Sequence, residues 1–282
     1  MGAAALKQIY MPEAMDPDLV ILPRLMSESG YSTHMVGKWH LGQAEEHDLP
    51  HNKGFDTFFG LLEAQMDYKT HKLGHMACLR NNSGPVDRSG EYITPVFTEQ
   101  VLTTLHHQEK PTFTYLAYNA PHLPVSAPFS LKEKLKREYS KHGFGDISSR
   151  NLEFHGAVRA VDMGIEKLFK EAAKLDRETI FIFTSDNGGA PQEYDGCNFP
   201  YRGGKSKFEE GGIKAPTLIF STKRTFSTRQ TDKLFHVTDW FSTILGLGKV
   251  KVPQMNDKYP VDGLEFSGDF GEDKVLFINF GI

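Results

Sequence analysis

Six side chains in this sequence have the types and settings for chemistry: Lys38, His40, His122, Asp186, Asn187 and Lys205. Each stands in a short loop at the end of an apolar run or in a glycine-rich turn. Asp186 and Asn187 offer oxygen ligands, which suit a hard cation such as Ca2+ or Mg2+. Lys38 and Lys205 could set point charges against anionic oxygens. A cation can position and activate a nucleophile, and a histidine can protonate a leaving group. Together these groups would make a site for a tetrahedral dianion. Singly, each has a plainer reading. Ser185-Asp186-Asn187-Gly188 is also an ordinary turn sequence. A lysine in a glycine-rich loop is commonly solvated, and a single histidine is commonly a hydrogen-bonded structural one. Trp39, between Lys38 and His40, reads as a packing residue.

The joint reading depends on the elements that would position these loops. Apolar runs at 32–36, 111–118, 179–185, 215–220 and 275–280 read as strands. Thr179 to Phe183 has the continuous β-branched and aromatic character of a strand buried on both faces. Helices are expected at 17–29, at 95–108 behind Pro95, at 154–172 and at 231–247. In the third of these, Phe154, Val158, Val161, Ile165, Leu168, Phe169 and Ala172 form one apolar stripe. Residues 63–94 lack periodicity and read as a surface excursion, and 125–147 read as a charged, mobile stretch. Strand, loop and helix alternate along the chain, so an α/β fold with a largely parallel sheet is expected. The strand ends of such a sheet open on one edge, where ligands collect.

The totals bound the function. The 282 residues suffice for one large domain or two small ones. A net charge of -4 gives no reason to expect nucleic acid or an anionic membrane as partner. No apolar run approaches the ~18 residues of a membrane-spanning helix. Met1 to Lys7 is too short and too soon polar for a signal peptide. Cys78 and Cys197 could form one disulfide or none. Asn81-Asn82-Ser83 is a glycosylation acceptor, which has meaning only in a secreted chain.

Gly37-Lys38-Trp39-His40-Leu41-Gly42, Ala120-Pro121-His122, Ser185-Asp186-Asn187-Gly188-Gly189 and Arg202-Gly203-Gly204-Lys205 with Glu210-Gly211-Gly212 together resemble the sulfatase family. Their order and spacing are similar to those of animal arylsulfatases, with the type B branch nearest. The resemblance runs from about residue 17 to the end, leaving 1–16 as a non-family start and 17–282 as an incomplete catalytic domain. It implies an alkaline-phosphatase-like α/β/α sandwich and hydrolysis of sulfate esters. It implies Asp186 and Asn187 as Ca2+ ligands, and Lys38 and Lys205 on the sulfate oxygens. It implies His40 at the nucleophile's hydroxyl and His122 assisting departure of the alcohol. Asp162, His236 and Asp239 also match family positions and read as hydrogen-bonded structural residues. A lysosomal or secreted location and a sulfated sugar or aryl sulfate as partner follow from the same resemblance. A chain made as given, without a leader, would stay in the cytoplasm.

The sequence departs from the pattern at its nucleophile. The family's Cys-x-Pro-x-Arg motif, whose cysteine becomes formylglycine, has no counterpart here. Cys78 is followed by Leu79-Arg80, and Cys197 stands one residue too far from Pro200 and Arg202. The first strand, with its pair of aspartate ligands, is missing as well, and the end reaches the boundary of a missing C-terminal subdomain. Little or no turnover is therefore expected from this chain. A non-catalytic protein that binds sulfate or glycan is the alternative. A zinc phosphatase of the same superfamily is disfavoured by the Gly-Lys-Trp-His loop.

Overall fold

The computed structural model describes residues 14–106, 109–191, 196–223, 227–231, 233–252, 258–270 and 274–279. The chain divides into two compact units, Met1–Leu168 and Phe169–Ile282.

The first unit opens with α1 (Leu22–Glu28), shorter than the predicted 17–29. Pro23 sits in its first turn, where the missing N–H costs nothing. Ahead of it, Asp16 accepts the Asp18 N–H in a turn (2.9 Å). Gly30 takes φ 89° and ends the helix. Then come β1 (Ser32–Lys38), β2 (Thr57–Leu61), the ribbon β3 (Lys72–Leu73) and β4 (Met76–Ala77), and β5 (Leu79–Asn81) with β6 (Gly84–Pro85). After α2 (Ile93–His106) comes β7 (Thr112–Ala117). The main sheet has the order β6-β5-β2-β1-β7. β1 runs parallel to β2 and to β7, whereas β5 pairs antiparallel with β2.

β1 is buried from Thr33 to Gly37, as a central strand should be. Gly37 and Gly60 are required where it crosses its neighbours. A Cβ on Gly37, which also takes φ 110°, would strike Ala117 O, and one on Gly60 would strike Gly37 O. Beneath this sheet Met35, Trp39, Phe55, Phe58 and Leu62 form one buried cluster.

Two sequence expectations for this unit fail. Residues 63–94 are no surface excursion, because Met66, Tyr68 and Cys78 are fully buried (0% exposed). Their irregular spacing follows from short ribbons and turns rather than from one periodic element. The charged stretch 125–147 contains a regular helix, α3 (Phe129–Lys141). Polar residues on its open face mask a helical pattern that needs only Leu135 buried. The long helix α4 (Ser149–Ala172) is confirmed, but its buried face is rotated from the predicted stripe. Leu152, Ala157, Leu168 and Ala172 are buried, while Val158 is 44% exposed. Small residues set this face: a Cβ on Gly164 would come within 2.6 Å of Tyr118 Oη.

The second unit holds β8 (Ile180–Thr184), α5 (Glu210–Ile213), β9 (Pro216–Ser221), β10 (Ser227–Thr231), α6 (Asp239–Leu247) and β11 (Lys274–Asn279). Its sheet has the order β10-β11-β9-β8. β9 is antiparallel to both neighbours and β10 is parallel to β11. So the larger sheet is parallel from β2 through β1 to its edge strand β7 and antiparallel at β5 and β6, and this second sheet is mixed. β10 lies in a polar run that gave no strand signal. α6 starts later than the predicted residue 231, and Phe280 of the predicted last strand lies outside the described residues.

β8 corrects the reading of a strand buried on both faces. It pairs with β9 alone among the described residues, and Phe183 is 38% exposed. β7 shares this condition: its one described neighbour is β1, and Tyr115 is 51% exposed. A core of Ala215, Ile219 and Phe235 packs against Ile180, Ile182 and Trp240. Phe181 stacks on Phe220 at 4.9 Å.

Candidate active site

Lys38 is the last residue of β1 and is half-buried. The backbone keeps a strand-like path beyond it: Trp39 N donates to Leu61 O (2.9 Å) and His40 N to Leu62 O (3.0 Å). Trp39 is buried, and its indole N–H is shared between Gly42 O (3.0 Å) and Asp48 O (3.1 Å). It is thus the packing residue the sequence suggested, and it ties down the loop between the lysine and the histidine. Asp48 is itself buried and lies 3.7 Å from the buried Lys53 ammonium. His40 follows at φ 54°. Left-handed backbone is uncommon for a side chain of this size, and such conformations gather at functional sites.

His122 belongs to the loop that leaves β7. Gly37 is paired with Ala117, so the Lys38–His40 loop and the His122 loop emerge from the carboxyl ends of adjacent parallel strands. His122 N donates to Asn119 O (2.8 Å). Its Nδ1 meets Leu123 O at 2.9 Å. Peptide bonds Ala120–Pro121 and Leu123–Pro124 are cis. The hydroxyl of buried Tyr68 donates toward His122 O (2.8 Å) and Asn119 O (3.2 Å).

Asp186, Asn187 and Lys205 belong to the second unit. Asp186 is exposed just beyond the end of β8, and Asn187 is half-buried. Asn187 Nδ2 donates to Gly188 O (2.8 Å), which leaves the amide oxygen as the group able to face a cation. Gly188 N donates to Gly212 O (2.9 Å), and Lys205 N donates to Gly189 O (2.9 Å). Asn198 joins the two loops. It accepts from Gly189 N (2.8 Å) and donates to Gly189 O (3.0 Å) and Gly203 O (3.1 Å). Nothing in the sequence singled out Asn198, since a lone asparagine in a glycine- and proline-containing loop reads only as a turn. Asp239, with its carboxylate accepting from His236 N (2.6 Å) and Leu264 N (2.8 Å), has the structural role read from the sequence.

The described residues do not fit a complete Ca2+ site. Ca2+ takes about six to eight oxygens, and the Asp186 loop supplies one carboxylate and one amide oxygen. Among the described residues no three His, Cys, Asp or Glu side chains converge as metal ligands. Cys78 does not serve as a nucleophile by its setting. Burial, and then the neighbouring Glu63, push the Cys78 thiol up to about 12, so it stays protonated. Cys197 is exposed, and both thiols are free.

The sulfatase family profile matches residues 7–250, and the chain belongs to that family. The match begins ahead of residue 17, where the motifs had placed the start of the family region. Arylsulfatase J of Mus musculus is 32% identical over 90% of this chain and 42% of its own length. N-acetylgalactosamine-6-sulfatase of Mus musculus is 30% identical over 87% of this chain and 47% of its own. The chain therefore spans about half the length of these curated relatives. Among solved structures, Ps i-CgsB in complex with k-i-k-neocarrahexaose superposes with a TM-score of 0.76 at 25% identity. That superposition covers 94% of this chain and 60% of the other. The PsFucS1 sulfatase from Pseudoalteromonas sp. superposes with a TM-score of 0.68 at 24% identity over 89% of this chain and 55% of its own, so a sulfatase structure shares its α/β architecture.

Proposed function

We propose that the chain carries the substrate-holding part of a sulfate-ester hydrolase and has little or no turnover by itself. The observation that carries this reading is that family motifs occupy strand-end loops in each unit. Lys38, His40 and His122 end adjacent parallel strands of one unit, and Asn198 ties the Asp186 and Lys205 loops of the other. In this reading Lys38 and Lys205 hold sulfate oxygens, and His122 protonates the departing alcohol. His40 stands at the position where the family's nucleophile would be met. Asp186 and Asn187 are cation ligands that need further oxygens from elsewhere, so no step is assigned to the cation. The substrate class is a sulfated sugar or an aryl sulfate, and the location is lysosomal or secreted. Asn81, exposed at the end of β5, is the glycosylation position.

The test is turnover of an aryl sulfate by protein co-expressed with a formylglycine-generating enzyme, paired with calorimetric titration of a sulfated sugar. Micromolar binding without turnover is expected, and it also describes the alternative of a non-catalytic sulfate binder. Clear metal-dependent turnover would overturn the claim of inactivity. Absence of binding would overturn the site.

A further inference from the structure

His122 can act only if its loop is held in one path. Two tyrosines from the 63–92 segment hold that loop. Tyr68 and Tyr92 stack with centroids 5.6 Å apart and an interplanar angle of 20°. Tyr68 is fully buried, and its hydroxyl reaches His122 O and Asn119 O at the start of the loop. The Tyr92 hydroxyl donates to Ser126 O (2.8 Å) at the end of the same loop. Burial pushes the Tyr92 phenol up to about 12, so it remains a donor across the working range. The stacked pair therefore grips the loop on both sides of His122.

The grip has a chemical result. His122 Nδ1 faces the carbonyl oxygen of Leu123 at 2.9 Å. A carbonyl oxygen can only accept, so the hydrogen lies on Nδ1. In the neutral ring Nε2 then carries the lone pair, and in the cation Nε2–H is the acid. Which carbonyl meets Nδ1 depends on the path of residues 119–126, and that path is what the two hydroxyls hold.

We infer that Tyr68 and Tyr92 are positioning residues that lock His122 in the Nδ1–H tautomer, making Nε2 the nitrogen that exchanges a proton with substrate. The role toward substrate rests on the sulfate-ester reading. The lock itself does not, and it is measurable without turnover.

The experiment is nitrogen-detected NMR of the full chain labelled in histidine. The His122 signals are assigned by their loss in His122→Gln. In the unsubstituted chain above the imidazole titration, His122 is expected as the Nδ1–H form. Tyr68→Phe keeps the stacked ring and removes the hydroxyl. It should shift His122 to a tautomer mixture in which Nε2–H predominates, while other histidine signals stay in place. Tyr92→Phe should do the same to a smaller extent, and it serves where Tyr68→Phe does not fold. An Nε2–H form in the unsubstituted chain overturns the inference. So does an unchanged His122 tautomer in a folded Tyr68→Phe protein. Failure to bind a sulfated sugar would sink the sulfate reading and leave this result standing.

Discussion

Asn198→Ala tests whether the Asp186 and Lys205 loops are one unit. The substitution deletes three hydrogen bonds to Gly189 and Gly203. Each contributes about 0.5–1.5 kcal/mol net in a folded protein. Asn198 is half-buried, so water recovers part of that loss. A local destabilisation of about 1.4–2.8 kcal/mol remains, which corresponds to a tenfold to hundredfold change in an opening equilibrium. The readout is hydrogen exchange at two amides. Gly189 N–H loses its acceptor directly. Lys205 N–H keeps Gly189 O as acceptor but loses the bridge that holds the loops in register. Both should exchange about tenfold to a hundredfold faster, while the β9 amides stay protected. Asn198→Asp keeps an acceptor for Gly189 N–H and sets a charge against two carbonyl oxygens. It should speed Lys205 exchange at least as much as the alanine change and Gly189 exchange less. Exchange at both amides within about twofold of the unsubstituted chain, for either variant, would refute the bridge.

Further outcomes follow from single groups. Glu63 is buried with Oε2 unpartnered, and burial raises its carboxyl above the ordinary value of 4.5. Its contribution to stability is complete below the unfolded value and is lost as pH rises through the folded one. Glu63→Gln should thus gain stability relative to the unsubstituted chain as pH climbs above 4.5, and denaturant midpoints from pH 4 to about pH 8 check this. A constant difference across that range would contradict it. The two thiols should separate kinetically. Exposed Cys197 should react with a disulfide reagent within minutes, while Cys78 waits for unfolding. Equal rates under native conditions would remove the argument against Cys78. Calcium should stabilise little. A site weaker than about 1 mM gives less than about 0.4 kcal/mol in 1 mM Ca2+. A thermal shift of more than a few degrees would mean that ligands beyond Asp186 and Asn187 are engaged.

The sequence showed most where one residue type has one physical use. Gly37 before Lys38, Asp186 after an apolar run and the α4 periodicity placed β1, β8 and the long helix within a few residues. It showed less where burial comes from side chains outside regular elements. Tyr68 and Cys78 are as buried as any strand residue, yet they sit among turns with no period to betray them. α3 was masked for the opposite reason, since a helix that buries little reads as charged loop. At the candidate site the chemistry-bearing types were legible and their supports were not. Tyr68 and Tyr92 act through backbone carbonyls far away in sequence, and Asn198 through loop carbonyls at no helical or strand spacing, so no local periodicity encodes such partners.

The outer strands β7 and β8 carry a consequence for the life of this chain in a cell. Thr112–Ala117 and Ile180–Thr184 contain no charge and no proline, and each is hydrogen-bonded on one side among the described residues. An uncharged edge rich in aromatic and β-branched residues is a template for any extended segment that reaches it. Any extended segment that pairs there, a second copy of this chain included, would extend the ladder of main-chain hydrogen bonds. For this polypeptide, concentration is therefore a variable that bears on self-association through these edges.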